Sequence, residues 1–302
     1  MTVCTPISDD ELLNDFCRSQ CLPAYYQAMA QRYFMPLAQA LAQQSSQARK
    51  PLFIGINGCQ GSGKSTLATL LTTVLAGQYH KKVAKLSIDD FYLTKAERQQ
   101  LAKDIHPLFL TRGVPGTHDM RLLNKTLDSL ASTDTTAIPR FNKAIDDRAA
   151  SDHWDSMAAA ADIIILEGWC VGVTPQTEET LFVPVNDLES NEDAEGLWRN
   201  TINTAISQDY LPLFTKIDKL IMLKAPSFDC VYHWRKKQED KLRAKTDSAN
   251  STTLMDDAAL TRFIQHYQRL SEHLLSTLAH TADLVFELNI QHQIVSQYGN
   301  ID

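Results

Sequence analysis

"INGCQGSGKST", residues 56 to 66, is the stretch from which the rest of this chain can be placed. It matches the phosphate-binding template G-x-x-x-x-G-K-[ST]. Before it stands a short apolar run, "PLFIGI" (51–56), which predicts a buried strand. After it come Leu67, Leu70, Leu71, Val74 and Leu75, at the i, i+3, i+4, i+7, i+8 spacing of a half-buried helix. Strand, glycine loop and helix form the context in which the match carries meaning; elsewhere it would be a chance pattern. Gly58, Gly61 and Gly63 let the backbone curl so that successive N–H groups point at phosphate oxygens. The helix starting near Lys64 adds its positive dipole end. Gly58, Cys59, Gln60, Gly61, Ser62, Gly63, Lys64, Ser65 and Thr66 are therefore the expected nucleotide-binding residues. Lys64 is expected to reach the outer phosphates and Ser65 to ligate Mg²⁺. The loop leaves three fates open for the terminal phosphate: water, a conformational switch or a second substrate.

Working outward, "KKVAKLSID" (81–89), "ADIIILEG" (161–168), "DKLIMLKA" (218–225) and "DLVFELN" (283–289) predict four further strands. Between them lie helical stretches, notably 256–279, with Leu260, Phe263, Ile264, Tyr267, Leu270, Leu274 and Leu278 on one face. Continuous apolar strands alternating with helices imply an α/β fold, a mainly parallel sheet covered on both sides. Ligands of such sheets bind beyond the carboxyl ends of the strands, where the motifs of this chain cluster. Residues 8 to 48 predict helix, with Ser8 capping and Glu11 three residues later, and with Pro36 kinking or breaking the second part. The polar "QQSSQARKP" then suggests a linker. Hence the expected division is an N-terminal helical extension, 1–48, packed on a nucleotide-binding domain, 49–302. The acidic "NDLESNEDAEG" (186–196) is expected to be a solvated segment or helix start.

The bulk properties narrow the class. The 302 residues carry 44% hydrophobic and 22% charged side chains, ordinary values for a soluble globular protein. A net charge of −7 argues against a nucleic-acid binder, though not against a local basic pocket. The six cysteines form no C-x-x-C pair; Cys17 and Cys21 share a helical face but lack a second ligand pair, so reduced, structural thiols are expected. The N-terminus is acidic without a signal-peptide apolar core, and no run approaches the length of a membrane span. A cytoplasmic protein is the expectation, with oligomeric state left open.

Two carboxylates bear on the phosphate. Glu167, directly after "IIIL", fits the strand-end acid that orients the metal, and the following Gly168 is expected to leave room for a phosphate; a capping role at the strand end is the alternative. In "SIDDFYLT" (87–94) a carboxylate at the end of the second strand would face the terminal phosphate and take the proton of an attacking hydroxyl. Asp89 and Asp90 are equally suited to capping the next helix, and one of them can cap while the other works. Cys59 has no visible partner base and is expected to be a tolerated small residue rather than a nucleophile. "TKID" (215–218) resembles a guanine-specificity motif, yet it precedes its strand instead of following it, which excludes a GTPase on that ground.

"D-x-F-Y" after the second strand and "LEG" after the third resemble the P-loop small-molecule kinases that include uridine kinase, phosphoribulokinase and bacterial pantothenate kinase. By position, Asp89 matches their catalytic base and Glu167 their metal-associated glutamate. "GCQGSGKST", "SIDDFYLT", "RGVPGTHD", "PRFNKA…DDR", "LEGW" and "VYHWRKKQE" occur in the same order in the D-glycerate 3-kinase family of plant type and its fungal and bacterial relatives. The similarity spans nearly the whole chain, and it implies ATP as the nucleotide. One departure stands out: "NKAIDDRA" is shorter than the family's usual segment between this lysine and the "D-R" pair.

Glycerate is a small anion with two hydroxyls, so its pocket needs cations and hydrogen-bonding groups. The expected acceptor region, about 104–150, offers Arg112, His118 and Asp119 from "RGVPGTHD", then Arg140, Lys143 and Arg148 from "PRFNKAIDDR", with Asp89 and Tyr92 nearby. Surface salt bridges are the competing explanation for these charges. The basic "YHWRKKQEDKLRAK" (232–245), within an expected lid at about 226–250, resembles the kinases' closing segment; Arg235 is its candidate for stabilising transferring charge. Lys236 and Lys237 are expected on a solvated face, while Tyr232 and Trp234 suit either core or nucleotide contact. The expectation is a kinase using ATP and Mg²⁺ on a hydroxyl of a small, anionic metabolite, D-glycerate first. The same-class alternative is another hydroxy acid, sugar or nucleoside; the different-class one is an NTP-hydrolysing switch or assembly factor. No nucleic-acid or membrane partner is expected.

Overall fold

A computed structural model describes residues 8–132, 135–245 and 256–301, with backbone alone for 238–245, so part of the expected lid lies outside the described residues. Its centre is a six-stranded sheet: β1 (Leu52–Gly58), β2 (Val83–Ser87), β3 (Ile163–Gly168), β4 (Lys219–Lys224), β5 (Leu284–Leu288) and β6 (Ile294–Gly299). The spatial order is β6-β5-β4-β1-β3-β2, parallel throughout except for β6, which runs back along β5. All seven residues of β1 and all six of β3 are buried. Such strands need helices on both faces, which explains why they read as unbroken apolar runs.

Alternation along the strands sorts the core into two layers. Phe53, Ile164 and Leu166 point into one layer, shared with helices α5 (Met120–Leu130), α6 (Leu197–Ala205) and α8 (Asp257–Thr277). Ile54, Ile56, Ile163 and Ile165 point into the other, shared with α1 (Asp9–Ser19), α2 (Met35–Gln47) and α3 (Lys64–Gly77). The N-terminal helices thus bury Leu13, Phe16, Phe34 and Leu41 in the same core as β1. Ser8 caps α1 by accepting from the Glu11 N–H at 3.3 Å. Pro36 falls in the first turn of α2, directly after a π-helical turn over Ala30–Phe34. A proline there cannot donate to the preceding turn, and the wider turn accommodates it.

The acidic stretch 186–196 starts a helix, as expected, with Asn186 capping Asp187–Glu192, but two of its acids are not solvated. Leu188, Glu189 and Asp193 are buried. Glu189 accepts from Nε and Nη2 of Arg269 at 2.8 and 2.6 Å, and Asp193 accepts from Arg199 Nη1 at 2.9 Å. Arg269 lies 80 residues from Glu189, too far along the chain for local pattern to pair them. "TKID" lies at the amino end of the sheet, remote from the glycine loop: Asp218 accepts from the Phe53 N–H at 2.9 Å and from Lys50 Nζ at 2.8 Å. Strand β6, beyond the expected end of the sheet, is an addition. Among the described residues no helix is long and apolar enough to cross a membrane.

Candidate active site

The carboxyl ends of β1, β2, β3 and β4 open on one edge, and the glycine loop leaves that edge from β1. Gly61 and Gly63 have φ of 84° and 95°, the left-handed region in which a side chain is strained, and Gly63 caps α3. A Cβ on Gly58 would stand 2.4 Å from Ser62 Oγ, so a side chain here would displace Ser62 within the loop. Register places Ile56 beside Glu167. Ser65, at the start of α3, donates its hydroxyl to Glu167 Oε1 at 2.8 Å, and the second carboxylate oxygen is buried without a partner. One hydroxyl and one unsatisfied carboxylate oxygen are hard oxygen donors of the kind Mg²⁺ takes when phosphates complete its shell. Among the described residues no group of three His, Cys, Asp or Glu is placed to hold a metal ion. The expectation that Gly168 leaves room for a phosphate does not hold: a Cβ there would meet Ile88 Cγ2 at 2.5 Å, so the glycine serves packing. Burial pushes the Cys59 thiol up to about 12, which leaves it protonated and inert.

Opposite the loop, a 3₁₀ turn over Ile88–Phe91 separates the two aspartates. Asp90 turns away: it accepts from Arg140 Nη1 at 2.9 Å and from the Phe141 N–H at 3.1 Å, fastening the ribbon formed by Phe141–Asn142 and Asp147–Arg148. Asp89 faces the cleft, accepting from Tyr92 OH and from Lys143 Nζ, both at 2.7 Å. Burial alone would raise its proton affinity, but Lys143 and Lys64 outweigh this and hold the carboxyl well below the usual range.

The third wall comes from "RGVPG", the end of β3 and the face of α8 that carries Phe263 and Tyr267. Gly113, at φ 131°, brings its backbone so close to Tyr267 that a Cβ would stand 2.1 Å from the phenol oxygen. Tyr267 OH donates to the Arg112 carbonyl at 3.0 Å, and Trp169 Nε1 donates to the Gly113 carbonyl at 2.9 Å. Arg112 pairs through Nη1 with Asp146 and lies 5.5 Å from the Phe141 ring centroid. Asp146 also pairs with the fully buried Arg98 at 3.0 Å, which ties the ribbon to the loop. Arg235, from α7 (Asp229–Lys245), lies 5.8 Å from the Phe263 ring centroid.

These walls enclose a cavity of about 350 Å³. Of the residues expected from sequence, Gln60, Gly61, Lys64, Ser65, Asp89, Tyr92, Arg112, Lys143, Glu167 and Arg235 line it together. Four others sit behind its wall. Asp119 caps α5 by accepting from the Leu122 N–H at 2.9 Å and also accepts from Arg148 Nη2 at 3.0 Å. Arg148 further holds the Tyr92 carbonyl at 3.2 Å, and Arg140 bridges Asp90 and Asp155. His118 stacks beneath Tyr92 at 4.7 Å and shares a hydrogen bond of 2.7 Å with Tyr210. Burial lowers His118 to about 4, so it is neutral and offers no charge to an anion. Lys236 forms an outward pair with Asp257 at 2.7 Å, and Trp234 packs at 4.3 Å on His292, away from the cleft. Ser87, Trp169, Phe263 and Tyr267 also line the cavity. Trp169 follows "LEG" immediately, a legible position; Phe263 and Tyr267 read as core because they share the apolar face of α8.

Residues 53–185 match the phosphoribulokinase/uridine kinase family. The chain is 36% identical over 245 residues to "Uncharacterized kinase mug58" of Schizosaccharomyces pombe, covering 78% of this chain and 85% of that protein. It is 29% identical over 238 residues to the chloroplastic D-glycerate 3-kinase of Arabidopsis thaliana, covering 76% of this chain and 48% of that one. A solved D-glycerate 3-kinase from Cryptococcus neoformans superimposes with a TM-score of 0.72 at 25% identity, covering 88% of this chain and 98% of the other. The glycine loop, the carboxylates facing it and these likenesses converge: the chain belongs to the phosphoribulokinase/uridine kinase family, and is a P-loop phosphotransferase with an alcohol group as acceptor.

Proposed function

We propose that this kinase uses ATP with Mg²⁺ to phosphorylate a hydroxyl of a small hydroxy acid, D-glycerate giving 3-phosphoglycerate. The observation that carries this is Asp89, set opposite Lys64 in a cavity of about 350 Å³ that Arg112, Lys143 and Arg235 also line. Three cations around so small a space suit an anionic acceptor, since fixed guanidinium and ammonium groups are the side chains that recognise carboxylates. The likeness to D-glycerate 3-kinases supports the particular acid.

In this account the glycine-loop amides and Lys64 hold the β- and γ-phosphates. Ser65 and Glu167 would hold Mg²⁺, which would supply neutralisation of the phosphate charge. Asp89 orients the acceptor hydroxyl and takes its proton as the oxygen–phosphorus bond forms and the bridging bond to ADP breaks. Arg235 steadies charge on the transferring group, and Arg112 and Lys143 bind the acceptor carboxylate. Asp90, Arg140, Asp119, Arg148 and His118 hold the walls in place. A switch or assembly factor would hydrolyse ATP in response to a protein partner; a cleft carrying its own base and its own anion receptors favours a small acceptor. The test is ADP release across a panel of hydroxy acids, sugars and nucleosides: strong stimulation by D-glycerate supports the proposal, and stimulation by a nucleoside alone would move the assignment to a different acceptor.

A further inference from the structure

Both oxygens of Asp89 are taken. Tyr92 is a fixed partner, buried and wedged by stacking on His118 and edge contact with Phe141. Lys143 is a different kind of partner. Its side chain is 60% exposed, and it stands at the turn of a short ribbon whose base is pinned by Asp90 on Phe141 and Arg140 and by Arg148 on Asp119, and whose turn is held at Asp146 by Arg98. The backbone is therefore held while the long lysine stem remains in solvent. The carboxylate end of the pair is sheltered, with Asp89 28% exposed, while the lysine end stands in solvent and can swing to another anion without leaving a packed core.

We infer that Lys143 is an acceptor-displaceable lock on Asp89: with the cleft empty of acceptor it covers the base, and an acidic acceptor draws it onto its own carboxylate and so uncovers the oxygen that must receive the hydroxyl proton. This rests on the kinase proposal above and gives Lys143 a second task. Lys143 lines the cleft and is 60% exposed, so the cleft is open to solvent, and an uncovered Asp89 would serve water as well as an alcohol. In that side reaction the water oxygen bonds to the γ-phosphorus, its proton passes to Asp89, and the bridging oxygen leaves with ADP. The lysine on Oδ2 withholds the carboxylate from water and releases it only to a molecule carrying a negative charge of its own. The two adjacent aspartates of "SIDDF" then divide the work, Asp90 fastening the ribbon and Asp89 receiving its tip.

The experiment measures ADP release from Mg-ATP by the full chain without acceptor and with D-glycerate, in the wild type, Lys143→Met, Lys143→Arg and the Lys143→Met/Asp89→Asn double variant, with ATP affinity determined in parallel. The lock predicts that Lys143→Met raises acceptor-free release by about tenfold, a modest share of what a general base contributes, while glycerate-dependent release falls. Lys143→Arg, which keeps the positive charge, holds acceptor-free release below that of Lys143→Met, and the double variant loses the raised hydrolysis. Acceptor-free release that is unchanged or lower in Lys143→Met, with ATP bound normally, overturns the lock. So does a rise that survives the loss of Asp89. Wild-type release indifferent to D-glycerate, alongside faster hydrolysis in Lys143→Met, would contradict the acceptor assignment while upholding the lock against water.

Discussion

Ser65 Oγ donates to Glu167 Oε1 at 2.8 Å, joining the first turn of α3 to the end of β3 across the mouth of the phosphate loop. The bond fixes two oxygen donors, one on a helix and one at a strand end, and leaves Glu167 Oε2 buried and unsatisfied. An unpartnered carboxylate oxygen in a buried position is costly unless a cation completes it. Glu167→Gln is therefore expected to keep the fold while raising the Mg²⁺ concentration needed for half-maximal activity by about 10- to 100-fold. Activity titrated against Mg²⁺ measures this, and an unaltered Mg²⁺ requirement counts against Glu167 as the metal's carboxylate.

Asp89 and Asp90 separate catalysis from stability. Asp89→Asn is expected to lower kcat by about 10²- to 10⁴-fold, the usual contribution of a positioned base, with ATP affinity little changed. Asp90→Asn weakens the hold on Arg140 and the Phe141 N–H and is expected to lower stability by about 1–3 kcal/mol. Turnover, nucleotide affinity and urea unfolding of both variants decide it; the opposite assignment of effects would exchange their roles.

Burial holds His118 at about 4 against an ordinary value of 6.5. The folded state therefore binds this proton less readily than the unfolded chain. Its contribution is fully present above about pH 6.5 and is lost as the pH falls towards 4, by about 3 kcal/mol in all. Asp89, whose folded proton affinity is lowered, loses its contribution only below its ordinary value of 3.8. Unfolding free energy followed from pH 7 to pH 4 should fall more steeply in the wild type than in His118→Asn. Equal slopes would mean that His118 can be protonated in place.

The Arg269–Glu189 pair lies under the helical layer, with both side chains nearly inaccessible. Removing one partner strands a buried charge. Glu189→Ala is expected to cost about 3–5 kcal/mol in unfolding experiments, while kcat/KM measured well below the new Tm stays near wild type. A loss of activity without a loss of stability would place this pair in the machinery.

Much of the molecule was legible because its determinants are local. The curl of 58–66 depends on glycines whose left-handed φ values can be anticipated from the template, and β1 and β3 announce themselves as buried by unbroken apolar runs. The site's carboxylates were equally legible, since strand ends in a parallel sheet have a fixed address. What escaped was set by partners that no helical or strand periodicity pairs, six residues away for Asp193 and 80 for Glu189. Glu189 and Asp193 read as solvated acids because their arginines come from other helices. Asp119, Arg140, Arg148 and His118 carry the residue types of an anion pocket, yet each is consumed by a neighbour that only the tertiary fold supplies. Tyr267 and Phe263 followed a core periodicity, and only the close approach of Gly113 turns that face of α8 into a wall of the cleft.

The central claim is transfer of the γ-phosphoryl group to a small acidic alcohol rather than to water. Phosphorus NMR of the full chain turning over Mg-ATP with D-glycerate tests it directly. A phosphomonoester signal identical to that of 3-phosphoglycerate, growing in step with ADP, is the predicted result. ADP accompanied by inorganic phosphate alone, at a rate no acceptor alters, would contradict it.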